Sequence, residues 1–278
     1  VSETFRIVII ADTHLKLDDV RGEAFRGYTQ RMAEAYTSAK HYRTNQVATP
    51  EDGFIEALSR AVDESASLVA LLGDIVSFPS EAAIEWAAAW LNEIGIPWTY
   101  TAGNHDWHYE GMPGSDVELR ARWIKQRLMP LYGSADPMMS VRLLNGVRFV
   151  TIDDSTNEIS PDQLEFFRAQ VATGAPVVLF IHIPLFAPGR SVKFGCGHPE
   201  WGTSTDTLFT VEQRRPWRRR HTPTTMAFRR DVFSAPNVLA VFAGHNHEAS
   251  LDVVNGVPQC VVAPNLTGAH LVVEFASS

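Results

Sequence analysis

Cysteine is scarce: 278 residues contain only Cys196 and Cys260. Two thiols without C-x-x-C spacing exclude a disulfide framework, a structural zinc knot and a redox pair, leaving two separate thiols or a single disulfide. Long apolar runs are missing as well, so no segment is built to span a membrane as a helix, and no basic-then-apolar signal opens the chain. Numbering starts at Val1 rather than Met, which leaves room for a removed leader and keeps both a cytoplasmic and an exported location open. Positive charge is in deficit, with 24 Lys and Arg against 32 Asp and Glu, a net charge of −8. Undirected binders of nucleic acid or anionic membrane carry a basic excess, so that class is disfavoured, although a local basic patch is not forbidden. Internal repeats and low-complexity tracts are absent too. With 45% apolar and 20% charged residues, the chain can bury one large core, and a single domain over 1–278 is the expectation.

What is present is a repeated grammar of short apolar runs that stop at a polar side chain. FRIVIIAD (5–12) ends at Asp12, SLVALLGD at Asp74, IPWTYTAGNHD reaches Asn104 and His105, APVVLFIH ends at His182, and NVLAVFAGHNH ends at His245 and His247. Each reads as a buried strand carrying a metal-capable group where the apolar stretch stops.

Helix signals lie between these runs. Thr49-Pro50-Glu51-Asp52 starts one that runs to about Ala66, and another is expected from Glu81 to Ile94, stopped by Gly95. Ser115-x-x-Glu118 is a capping box that predicts a face of Val117, Ala121, Ile124 and Leu128. Ser160-Pro161-Asp162-Gln163 leads into Leu164, Phe167 and Val171, ending near Gly174. The Asn145-Gly146 and Asn255-Gly256 pairs read as tight hairpin turns, so antiparallel pairs are expected beside parallel ones. The fold class that follows is an α/β sandwich with mixed sheets and outer helices. Two stretches break the alternation and read as insertions: 18–47, where Phe25, Tyr28, Met32 and Tyr36 space an extra helix near the site, and 189–230, rich in Gly, Pro, Thr and Arg.

Asp12-x-His14 leaves a strand end with one oxygen and one nitrogen donor facing the same space. Gly73-Asp74 adds a carboxylate able to bridge two cations, on a backbone that Gly lets approach closely. Gly103-Asn104-His105-Asp106 supplies an amide oxygen, an imidazole and a carboxylate, and the neutral Asn limits negative charge and so preserves Lewis acidity. His182 and the pair in Gly244-His245-Asn246-His247 complete the set. Any one block is a common loop sequence. Three histidines and the other donors, all at strand ends, are hard to explain as packing.

This ordered set (D-x-H, G-D, G-N-H-D, H, G-H-x-H) resembles the signature of the calcineurin-like metallophosphoesterases, from Asp12 to His247. The resemblance implies a four-layer αββα sandwich with two metal ions at one rim, cleaving a phosphomonoester or phosphodiester with a metal-activated water. By family pattern, Asp12, His14, Asp74 and His247 would hold one ion, and Asp74, Asn104, His182 and His245 the other. His105 would be the catalytic residue, donating a proton to the leaving alkoxide, and Asp106 would support its loop. The donor types suit Mn, Fe or Zn. Two departures narrow the substrate. The second block continues Ile75-Val76-Ser77 without the Asp and Arg of protein Ser/Thr phosphatases, and Ser77 stands where purple acid phosphatases place a metal-binding Tyr. The chain is therefore more similar to the broad bacterial-type branch.

Three function classes follow: a phosphoesterase acting on a small-molecule ester, a nuclease of the same family, and a catalytically silent protein-binding scaffold. The acidic balance counts against nucleic acid, although Arg214, Arg215 and Arg218 to Arg220, with Trp201 or Trp217 to stack on a ring, keep it open. A scaffold is free to lose ligands, yet none is missing. His108 follows the third block and is within reach of the substrate, but a surface-loop histidine is the expected reading. Cys196 and His198 receive no role, and the sequence sets no oligomeric state.

Overall fold

The computed structural model describes residues 4–37, 39–201 and 221–276. In the first sheet β1 (Thr4–Ile10), β2 (Leu68–Leu72) and β3 (Trp98–Thr101) run parallel, and β10 (Leu271–Ala276) closes one edge antiparallel to β1. The second sheet has the order β4 (Met139–Leu144), β5 (Val147–Ile152), β6 (Val177–Phe180), β7 (Val238–Ala243), β9 (Val257–Val261), β8 (Ser250–Val254). Its middle is parallel and its two ends are hairpins, turned at Asn145-Gly146 and Asn255-Gly256, where all four residues have positive φ.

The central strands are apolar on both faces because each sheet is covered twice there. Ile7 and Ile9 of β1 and Leu68, Ala70 and Leu72 of β2 meet Phe149, Val178, Phe180 and Phe242 between the sheets. The alternate residues Val8, Ile10, Val69 and Leu71 face α2 (Pro50–Asp63) and α3 (Glu81–Ile94), while α6 (Pro161–Val171) and α7 (Pro223–Val232) cover the outer face of the second sheet. Helix, sheet, sheet and helix thus form the four-layer sandwich, a mixed α/β single domain.

Several expected boundaries hold because their caps are present. Thr49 and Ser80 accept the first-turn N–H groups of α2 and α3, Ser115 and Ser160 complete reciprocal capping boxes, and Gly95 ends α3 at φ 65. Three expectations need correction. The first helix ends at Asp63 rather than near Ala66, where Ser65 takes a left-handed turn at φ 49. In α4 (Asp116–Trp123), Val117 and Ala121 face solvent, and the buried stripe runs through Leu119 and Trp123 into Ile124 and Leu128. A π-helical turn over Ile124–Leu128 breaks the 3.6-residue spacing on which the expected face depended. Within 18–47, α1 (Arg26–Glu34) stops two residues short of Tyr36, which turns out of the helix at φ 61. A short helical stretch, α5 (Met129–Tyr132), follows the π turn. Arg214 to Arg220, Trp217 among them, lie outside the described residues, and Cys196 and Cys260 are both free thiols.

Candidate metal centre

The parallel strands of both sheets end at one rim. There β1 delivers Asp12 and His14, β2 delivers Asp74, β3 leads to Asn104 and His105, β6 to His182, and β7 to His245 and His247. Backbone hydrogen bonds join the loops: Asp12, His14 and Leu15 N–H donate to the carbonyls of Gly73, Asp74 and Ile75 at 3.0, 2.9 and 2.8 Å. Across the sandwich, the His245 N–H donates to the Asp12 carboxylate at 2.9 Å. Two glycines permit this closeness. A Cβ at Gly103 would sit 2.2 Å from Asp74 Oδ1, and one at Gly244 would sit 2.7 Å from Asp12 Oδ2.

Two donor groups emerge, Asp12, His14, Asp74 and His247, and Asp74, His182 and His245, each with its ligand atoms within 4.8 Å of one another and with Asp74 in both. Asn104 joins the second, its Oδ1 lying 3.0 Å from His245 Nδ1 and 3.3 Å from His182 Nε2. His14 Nε2 and His247 Nε2 stand 2.9 Å apart, and His182 Nε2 is 3.3 Å from Asp74 Oδ2. The backbone is strained at the same place: Asp12, His14, Asp74, His245 and His247 have φ of 54, 56, 50, 72 and 54°. Left-handed non-glycine residues cost energy and gather where a site dictates geometry.

A family model described as calcineurin-like phosphoesterase matches residues 5–249. The chain belongs to the calcineurin-like phosphoesterase family. Solved structures agree on the fold. A dimetal phosphatase from Danio rerio superposes with a TM-score of 0.58 at 15% identity, over 96% of this chain and 91% of that one. A purple acid phosphatase from yellow lupin seeds (Lupinus luteus) gives 0.56 at 14% identity, over 96% of this chain and 45% of that one. No curated protein sequence matches the chain.

In this calcineurin-like phosphoesterase the donor set fits metal ions that take nitrogen and oxygen ligands. Burial holds His14 and His245 below the ordinary imidazole range, His245 at about 3, so their ring nitrogens keep lone pairs. Burial also opposes charge on His182, but the Asp74 carboxylate outweighs it and raises the group to about 10. His182 Nδ1–H donates to the Leu72 carbonyl at 2.7 Å, which turns Nε2 toward Asp74 and Asn104.

Supporting residues complete the picture. Asp106 accepts N–H groups from Gly103, Asp74 and Val76 at 2.7, 2.8 and 2.9 Å, although burial and the charge of Asp74 raise its pKa to about 7. Asp106→Ala should strand three buried donors, lowering unfolding free energy in urea titration by about 2–4 kcal/mol. An unchanged midpoint and slope would show that Asp106 does not support the loop. Asp154, which sequence reasoning missed, accepts the N–H groups of His182 and Ile183, each at 3.0 Å. Its Asp-Asp-Ser context after β5 carries no recognisable ligand spacing. Ser77 Oγ is occupied, donating to the His14 carbonyl at 3.0 Å.

The weaker candidates separate clearly. His108 is buried at 6% exposure, correcting the surface-loop expectation, because its loop folds in beside the fully buried Trp107 and Tyr109. Trp201 stacks on His221 with centroids 4.3 Å apart, which occupies a ring face otherwise available to a base. Cys196 donates its thiol to the Asn157 carbonyl, and His198 packs edge-on against Phe186.

Proposed function

We propose that this chain hydrolyses a small phosphate ester at a dinuclear centre, with Asp12, His14, Asp74 and His247 holding one cation and Asp74, Asn104, His182 and His245 the other. The observation that carries the reading is the pair of donor groups that share Asp74. When bound, two such ions supply charge neutralisation for the phosphate and a water acidic enough to attack phosphorus.

The chain's own residues do the rest. Asp74 belongs to both groups and also accepts the His105 N–H through Oδ1 at 2.8 Å, so one carboxylate sets the spacing of the donors and the position of His105. The His105 ring stands edge-on to His14 with centroids 5.0 Å apart, at the border of the donor cluster rather than inside it. From there its imidazole protonates the departing alkoxide. Asn104 contributes a neutral oxygen, which keeps the second cation site from excess negative charge.

The test is metal-dependent turnover of an aryl phosphomonoester and of the matching bis-aryl phosphodiester. Chelator-stripped protein should be inactive toward both, and Mn²⁺ should restore one or both. A large diester preference makes the enzyme a phosphodiesterase, the reverse a phosphatase. No metal-dependent turnover of either ester rejects the hydrolase reading in favour of the silent scaffold.

A further inference from the structure

Tyr36 is an aromatic residue at the rim with no part in the donor set. Its ring lies 4.7 Å from the His14 ring and 5.2 Å from the His247 ring, centroid to centroid. It is nevertheless 36% exposed, so it borders the open side of the centre rather than the core. Its phenol is within electrostatic reach of Asp74 and Asp12. Among the described residues, its hydroxyl makes no hydrogen bond.

The backbone pays for this placement. Tyr36 adopts φ 61, a conformation that a bulky side chain takes only when its surroundings impose it. A contact to the metal-site loop lies one residue earlier: Lys16, two residues after His14, donates from Nζ to the Ala35 carbonyl at 3.2 Å. The loop carrying His14 thus ties to the end of α1, where the chain leaves the helix and the Tyr36 ring lies against the two imidazoles. Packing on those rings would be served equally by Phe. A tyrosine ring against two of the donor imidazoles, its hydroxyl without a hydrogen bond among the described residues, can offer that O–H to a ligand at the centre.

We propose that Tyr36 is a substrate-contacting residue whose phenol O–H donates to a non-bridging phosphate oxygen at the dinuclear centre. This rests on the phosphoesterase reading above. The phosphate oxygen is anionic, so the hydrogen bond is charge-assisted and its loss should weaken binding by about tenfold or more.

The experiment compares wild type with Tyr36→Phe, both loaded with Mn²⁺, measuring inorganic phosphate affinity by titration calorimetry alongside metal content, melting temperature and KM for the better aryl ester. The expected result is about a tenfold weaker phosphate Kd and a raised KM, with metal content and melting temperature unchanged. An unchanged phosphate Kd in Tyr36→Phe overturns the proposal and leaves the phosphoesterase reading intact. Loss of metal in that variant also overturns it, by showing that the hydroxyl supports the ligands instead. A wild-type protein that neither binds phosphate nor hydrolyses either ester overturns both readings together.

Discussion

Asp74→Ala is expected to lose most of its bound metal and at least about a thousandfold in turnover, the largest single effect at this site. The reason is that three functions converge on one carboxylate. It belongs to both donor groups, faces His182 Nε2 through Oδ2 at 3.3 Å and His14 Nε2 at 3.9 Å, and fixes the His105 backbone through Oδ1 at 2.8 Å. Ala also tolerates φ 50 poorly, which adds a conformational contribution to the loss. Asp74→Asn separates the causes, because Asn accepts the left-handed backbone and still offers an oxygen to the His105 N–H. Elemental analysis and ester turnover on both variants give the answer. Near-normal turnover in either would mean that the proposed centre does not depend on a bridging carboxylate.

His105→Ala should behave in the opposite way, keeping its metal while hydrolysis slows about a hundredfold or more. The bond that ties this residue to Asp74 comes from the backbone N–H, which Ala retains, so the donor cluster should keep its geometry when the ring is removed. The loss should be smaller for esters whose leaving alcohol is acidic, since such groups depart without a proton. Metal loss in this variant would identify His105 as a ligand; an equal slowing for good and poor leaving groups would remove it as the acid.

Much of this was legible along the chain because the signals are local. An apolar run that stops at Asp or His needs only its neighbours to be read, and so does a Ser capping box or an Asn-Gly turn. Legibility failed where a local rule met a non-local constraint. The face expected on α4 was displaced by a π turn that lets Trp123, Ile124 and Leu128 reach the core. Tyr36 lies outside the helix, in a stretch whose Ala35 carbonyl is bonded by Lys16 from a segment distant in sequence. His108 was drawn inward with Trp107 and Tyr109, whose burial depends on packing from several elements. Asp154 stayed hidden because it acts on the backbone of His182, twenty-eight residues away, and needs no motif to do so.

By itself, the sequence determined which donors exist, their order, and that each stands at the end of a strand, since side-chain chemistry and hydrophobic period are properties of short segments. Only the tertiary structure decided that the donors divide between two sheets, β1 to β3 in one and β6 and β7 in the other, and that they still converge. Convergence depends on the apolar layer of Phe149, Phe180 and Phe242 that holds the sheets face to face, on β10 returning to pair with β1, and on five left-handed residues that turn the side chains inward. Those are properties of how segments pack against one another: burial across the sandwich offsets backbone strain that no isolated strand end would sustain.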